Sequence, residues 1–379
     1  MTKGYLDNAA TTELIPCVKD AIATSLDMFG NPSSLHSIGY SSEKLISSAK
    51  VEIAKSLKCR EDELIFTSGG SEADNLAVLG AAEAMHRRGN RVVTTAVEHS
   101  AILGAMKELE KRGFEVVYIN PGSDGSITLS DIEAAIDEKT VLVSVMYCNN
   151  ETGAIFPVDK LKAVIRKKGS PALLHCDFVQ GYGKYTLIPE KAGIDLVSIS
   201  SHKIHGPKGV GALYIKKGVR ILPQIHGGEQ QGGIRPGTEP LNLIAGFGAA
   251  VREINNRSLV TDEQAVLRIK QYITDKLCDC EDIAINSPKN GSAYVLNLSV
   301  LGIRSETMLH FLEARGVYIS SGSACAKGAP SHVLKAMGLN ARRADSAIRI
   351  SFSRYSTYED VDMLIDGINE ARKSLIRAK

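Results

Sequence analysis

The sequence predicts an α/β protein with a mixed, mainly parallel sheet and a smaller C-terminal α/β domain. Three observations lead there. Five β-rich runs, Arg91 to Val97, Glu115 to Ile119, Val141 to Met146, Leu173 to Asp177 and Leu196 to Ser200, alternate with helical segments, the pattern of parallel strands joined by crossover helices. A further run, Ala212 to Ile215, follows Ser200 through a Gly-rich loop alone. With no crossover helix in between, that strand is expected to run antiparallel. After Asn290 the alternation restarts on a smaller scale.

Taken in order, Pro16 to Met28 reads as a helix with proline in its first turn, closed by Gly30-Asn31-Pro32. Ile46, Ala49, Ile53 and Leu57 recur at helical spacing and mark a second helix. Leu64 to Thr67 is a short strand and Ser68 to Gly70 a turn. Ser71 is placed to cap the helix that follows, with Glu72 and Asp74 in its first turn. That helix is expected to stop at His86-Arg87-Arg88-Gly89. Ser130 and Glu133 have the spacing of a capping box. Thr238 reads as the cap of a helix presenting Ile244, Phe247, Val251 and Ile254 on one face, and Thr261 to Leu277 as a second long helix. The C-terminal part then runs strand (Ala293 to Ser299), helix (Glu306 to Arg315), strand (Val317 to Ser320), a loop holding Cys325, a short helix (Ser331 to Met337) and a strand (Ala347 to Ser353). A last helix is capped by Thr357. The expected division is a large domain over 16–257 and a smaller one built from 1–15 and 258–379.

The bulk numbers bound the function. The 379 residues are 44% hydrophobic and 23% charged, with a formal net charge of +2, as in soluble globular proteins. No basic block suggests nucleic acid, and no apolar run approaches the ~18 residues that span a bilayer. The N-terminal stretch lacks the apolar core of a signal peptide, so the expected location is cytoplasmic. The seven cysteines, Cys17, Cys59, Cys148, Cys176, Cys278, Cys280 and Cys325, are odd in number and scattered, which argues against a disulfide framework. Cys278 and Cys280 are too close for a usual zinc half-site, and no metal site is expected.

Several short motifs carry chemistry. In SISSHKIHGPK, Lys203 stands just past a buried strand beside His202. Most lysines are solvated, but one held in such a place becomes a nucleophile when burial or a nearby cation destabilises its ammonium. In FTSGGSE, Gly70 and Ser71 open a helix, where backbone N–H groups and the helix dipole favour an anion. His99 in EHSA and Asp177 and Gln180 in HCDFVQ lie just past strand ends, where open α/β sheets bind ligands. A carboxylate there can keep a pyridine nitrogen protonated. A phosphate cradle, a histidine, an acid and a buried lysine at one end of a sheet are the parts of a pyridoxal phosphate site.

The order of these parts, with YLDNAATT, NPSSLH, NNETG, RPGTE, SSGSAC and IRISFSR, closely resembles the cysteine desulfurases of the NifS/IscS type, within the class V aminotransferase group of fold type I pyridoxal phosphate enzymes. The resemblance runs nearly end to end. It implies pyridoxal 5'-phosphate as cofactor, held by Lys203, and L-cysteine as substrate. It implies that His99 stacks on the ring and that Asp177 pairs with the ring nitrogen. Gln180 and Asn150 match contacts to the ring oxygen, and Gly70, Ser71, Ser200 and His202 match phosphate contacts. Thr238 matches a phosphate contact reaching across from a second subunit, which implies a homodimer. Arg349 matches the holder of the substrate carboxylate and Cys325 the sulfur nucleophile. The implied reaction yields L-alanine and a persulfide for a protein or small-molecule acceptor; iron–sulfur assembly, tRNA thiolation and cofactor sulfuration all draw on such enzymes. Selenocysteine lyase or another class V aminotransferase-type reaction, such as an amino-group transfer, is the nearest alternative, and a silent docking protein would lack Lys203 or Cys325. Two departures stand out. The stretch CAKGAPSHVL is shorter than in the long-loop form, and Gly232 and Pro236 stand where arginine and serine are usual.

Overall fold

The computed structural model describes residues 4–321 and 331–375. Among these, the strands are β1 (Gly4–Tyr5), β2 (Leu64–Thr67), β3 (Arg91–Thr95), β4 (Glu115–Ile119), β5 (Thr140–Ser144), β6 (Leu173–Asp177), β7 (Leu196–Ser200), β8 (Gly211–Ile215), β9 (Ile283–Ile285), β10 (Val295–Val300), β11 (Val317–Tyr318), β12 (Ser320–Ser321) and β13 (Ala347–Ser351). The large sheet runs β2-β8-β7-β6-β5-β3-β4. Its β4, β3, β5, β6 and β7 are mutually parallel, and β8 pairs antiparallel with both β7 and β2. The short connection from β7 to β8 imposes that reversal, as the sequence predicts.

Strands β2, β5 and β7 are buried at every position, which is how a sheet covered by helices on both faces reads. The Gly70–Met85 helix packs on one face through Ala73, Leu76, Ala77 and Val78. On the other face the Ser37–Leu57 and Leu241–Asn255 helices pack together, burying Ile46, Ala49, Ile53, Ile244, Phe247 and Val251. Phe247 is fully buried, with its ring 6.4 Å from each of Phe66 and Tyr182. Phe247→Ala is expected to cost about 3–5 kcal/mol, read as a lowered midpoint in urea unfolding at unchanged slope.

The smaller sheet, β12-β13-β10-β9, is antiparallel. The chain start is tied into this part of the molecule. β1 lies parallel to β11, and the Asn8 N–H reaches the Ser351 carbonyl at 3.3 Å. No helix among the described residues is long and apolar enough to cross a membrane.

Four local expectations are corrected. The helix expected to be capped by Ser71 begins at Gly70, with Gly69 at the cap and φ of +151°. Only glycine adopts that angle freely, so the turn closes earlier and Ser71 lies inside the first turn. The helix after Thr238 begins at Leu241 with Pro240 at its cap, and Thr238 is exposed two residues upstream. The capping box is Thr128 and Asp131, not Ser130 and Glu133: Thr128 N–H donates to Asp131 Oδ2 at 2.8 Å, and Asp131 N–H to Thr128 Oγ1 at 3.2 Å. The strand expected over Val317 to Ser320 is two strands, because the chain changes partner at Ile319, from β1 to β13.

Candidate active site

The carboxyl ends of β3, β6 and β7 open on one cavity of about 400 Å³. Gly70, Ser71, His99, Asn150, Asp177, Gln180, Ser200, His202, Lys203 and Arg349 all line it. Thr238 does not. Cys325 lies outside the described residues. β12 pairs with the strand of Arg349 (Ser320 opposite Arg349), and His332 Nε2 lies 3.0 Å from the Glu98 carbonyl oxygen, next to His99.

Lys203 ends a single turn, Ser201–Lys203, immediately after β7. Its Nζ donates to the Ala9 and Ala10 carbonyls at 2.6 and 2.7 Å. Neither acceptor carries a formal charge. Burial, followed by the nearby Arg349 and Lys184, lowers the ammonium to about 7, as a lysine nucleophile at neutral pH requires. His202, with Nδ1 3.2 Å from Thr11 Oγ1, is lowered to about 4, first by burial and then by Lys203. It is therefore neutral at physiological pH.

His99 caps the Ser100–Lys111 helix by accepting the Ala101 N–H on Nδ1 at 3.2 Å. That bond puts the proton of the neutral ring on Nε2, and burial lowers the pKa of the ring and keeps it neutral. Asp177 closes β6 and accepts the Val179 N–H on Oδ1 at 2.9 Å. Burial raises its pKa, opposed by His99 and Lys203, so the carboxylate is stabilised by any cation set beside it. Asn150 sits in a loop held rigid by Asn149, whose Oδ1 accepts the Glu151 and Thr152 N–H groups at 2.9 Å each. Arg349, on β13, donates through Nη2 to Asp7 Oδ1 at 2.8 Å and through Nη1 to the Asn150 carbonyl at 3.1 Å. Its Nε is buried with no partner.

The class V aminotransferase model matches residues 4–364. The chain belongs to this family. Within the family, relatives that match over nearly the full length include cysteine desulfurases. It is similar to the IscS cysteine desulfurase of Vibrio vulnificus strain CMCP6, with 38% identity over 98% of this chain and 93% of the relative. Among solved structures, a NifS-like protein superposes with a TM-score of 0.92 at 36% identity, over 99% of this chain and 100% of that one. A structure described as SspA in complex with cysteine superposes at 0.82 with 32% identity, covering 94% and 100%.

Family members depend on pyridoxal 5'-phosphate, and the cavity fits that group. Ser200 Oγ is buried without a hydrogen-bond partner, a donor suited to a phosphate oxygen. It faces the same cavity as Gly70 and Ser71 at a helix N-terminus, the place where a helix favours an anion. A Cβ on Gly70 would meet Val179 Cγ2 at 2.8 Å, so this wall has no room for a larger residue. Asp177 and Lys203 line the same space, an acid for a ring nitrogen and an amine for an aldehyde.

Sequence reasoning missed four contributors: Asp7 beneath Arg349, the Ala9 and Ala10 carbonyls on Lys203, the buried carboxyl of Asp74 in the cavity wall, and Lys184. Asp74 has a visible signal, an acid on the apolar face of its helix. Burial, then Asp177, pushes its pKa well up.

Proposed function

We propose that this chain is a pyridoxal phosphate-dependent cysteine desulfurase that converts L-cysteine to L-alanine and retains the sulfur as a persulfide on Cys325. The observation that carries the reading is Lys203: a buried amine of lowered basicity, in one cavity with Asp177, His99 and Arg349. In this reading residues 16–257 hold the cofactor, and residues 1–15 and 258–379 form the smaller domain with Cys325.

When bound, the cofactor supplies an electron sink that acidifies the substrate's Cα–H and loosens its Cβ–S bond. The chain's own residues do the rest. Lys203 Nζ holds the cofactor at rest and takes the Cα proton during turnover. Asp177 keeps the ring nitrogen protonated, and His99 covers the ring face. Gly70, Ser71, Ser200 and His202 hold the phosphate, and Gln180 and Asn150 the ring oxygen. Arg349 binds the substrate carboxylate. The Cys325 sulfur attacks the substrate sulfur: an S–S bond forms, the Cβ–S bond breaks, and Cβ gains a proton. Free thiol and cysteine thus become persulfide and alanine with no net oxidation. A homodimer is part of this reading, because exposed Thr238 lies off its own chain's cavity and matches a residue that serves the second subunit. The acceptor is a dedicated protein or small molecule, in keeping with the short Cys325 segment. The six described cysteines are free thiols, which supports action in the reducing cytoplasm.

The test is alanine release from L-cysteine with a thiol reductant present, using protein that carries the cofactor's visible absorbance. Alanine formation supports the reading, and cofactor-loaded protein that forms none rejects it. Arg349→Lys keeps the charge but loses the two-pronged fork that fits a carboxylate. It is expected to lower kcat/KM for L-cysteine roughly 100-fold, mostly through KM, with the cofactor absorbance unchanged.

A further inference from the structure

Lys184 is buried, 8% exposed, in the turn that follows Gln180. Among the described residues no carboxylate forms an ion pair with it. Its Nζ donates to Gln180 Oε1 at 3.2 Å and lies 5.6 Å from the centre of the Tyr294 ring. An ammonium buried without a counter-ion is costly, and neither an amide oxygen nor an aromatic face fully offsets that cost.

The network leads directly to the active site. Gln180 Nε2 donates to the Ala9 carbonyl at 2.9 Å, and the same carbonyl accepts from Lys203 Nζ at 2.6 Å. An ammonium can only donate and a carbonyl can only accept. Lys184 on one side and Ala9 on the other therefore fix which end of the Gln180 amide is oxygen. One amide N–H is left for the cavity. Lys184 and Lys203 also line one small cavity with Asp262, His205 and Arg354, so the second ammonium stands behind the first.

We propose that Lys184 is a positioning residue for this active site: it locks the Gln180 amide with its N–H toward the ring oxygen and sets a second positive charge behind Lys203. The proposal rests on the cofactor reading above for the role of Gln180, but its effect on Lys203 does not need the cofactor. A neighbouring cation favours the neutral amine, in line with the contribution of Lys184 to the lowered basicity of Lys203. Among the described residues, the other charged or titratable groups around Lys203 include Arg349 on β13, Asp7 in the N-terminal segment, Asp177 on β6, His99 after β3, its neighbour His202, and, across the small cavity, Asp262, His205 and Arg354. Burial lowers the basicity of Lys184 as well, to about 8.

Three variants separate the roles: Lys184→Arg keeps charge and donor, Lys184→Gln keeps a donor only, and Lys184→Met keeps neither. The first readout is competitive acetylation of Lys203 against pH in the full-length chain stripped of cofactor, measured by peptide mass spectrometry. The midpoint is expected to rise by roughly half a unit or more in the Gln and Met variants and to stay near wild type in the Arg variant. The second readout is loss of pyridoxal phosphate from loaded protein on dialysis, expected to be several-fold faster for Met and unchanged for Arg. If Met does not fold, Gln against Arg still decides the charge. Folded Gln and Met variants with a wild-type Lys203 midpoint would overturn the proposal, as would a wild-type midpoint near that of a free lysine. Failure of the desulfurase reading is a separate result, namely no alanine from loaded wild-type protein.

Discussion

Lys203→Ala is expected to purify without the visible absorbance of bound pyridoxal phosphate and to release alanine from L-cysteine at least about a thousandfold more slowly. Two losses combine. The amine that holds the cofactor covalently disappears, and so does the base that moves the Cα proton. The substitution also removes the donor to the Ala10 carbonyl and leaves the Ala9 carbonyl with Gln180 Nε2 alone; both bonds to Nζ are among the shortest in the site. Those carbonyls can turn to water in a cavity of this size, so thermal stability should fall only modestly. The check has three parts: absorbance, alanine release, and a thermal melt showing that the variant is folded. Retained colour together with wild-type turnover would move the nucleophile to another lysine, and Lys184 is the next buried one at this end of the sheet.

Cys325→Ala should lose alanine formation by a similar factor while keeping the cofactor and the first half of the reaction. Lys203, Asp177 and Arg349 are untouched by the change, so L-cysteine still binds and its Cα proton still exchanges with solvent. In deuterated buffer the variant is expected to label L-cysteine at Cα without releasing alanine. The dissociation of the two steps is the informative outcome. A variant that neither exchanges nor releases would place Cys325 in substrate binding, and one that does both at full rate would remove it from the mechanism. L-selenocysteine extends the test, because selenide leaves more readily than sulfide, and the variant is expected to keep far more activity on it.

The sheet and most of its site were legible because both depend on local pattern. Buried strands show as short apolar runs, and ligand-binding residues follow their carboxyl ends, so His99, Asp177 and Lys203 could be placed from position alone. The antiparallel β8 followed from the length of one loop. Helix starts were less legible. The cap at Gly69 depends on a backbone angle rather than a side chain, and Pro240 ended the competition at the other helix by fixing its own φ. Contacts between distant parts of the chain were not legible at all. Nothing around Asp7 indicates Arg349, 342 residues away, and nothing around Ala9 indicates Lys203, 194 residues away. Lys184 reads as an ordinary lysine in a Gly-flanked turn, and only the fold shows that it is buried behind Gln180.

The bond between Asp7 and Arg349 also bears on how the protein is made. The N-terminal segment emerges from the ribosome first, yet its carboxylate and carbonyls find their partners only after β7 and then β13 have been synthesised. On the reading proposed above, the residues for the phosphate and the ring nitrogen are therefore made well before Arg349, the residue for the substrate carboxylate. On that reading, a growing polypeptide gains its hold on an amino-acid carboxylate only when the last strand of its smaller sheet is made.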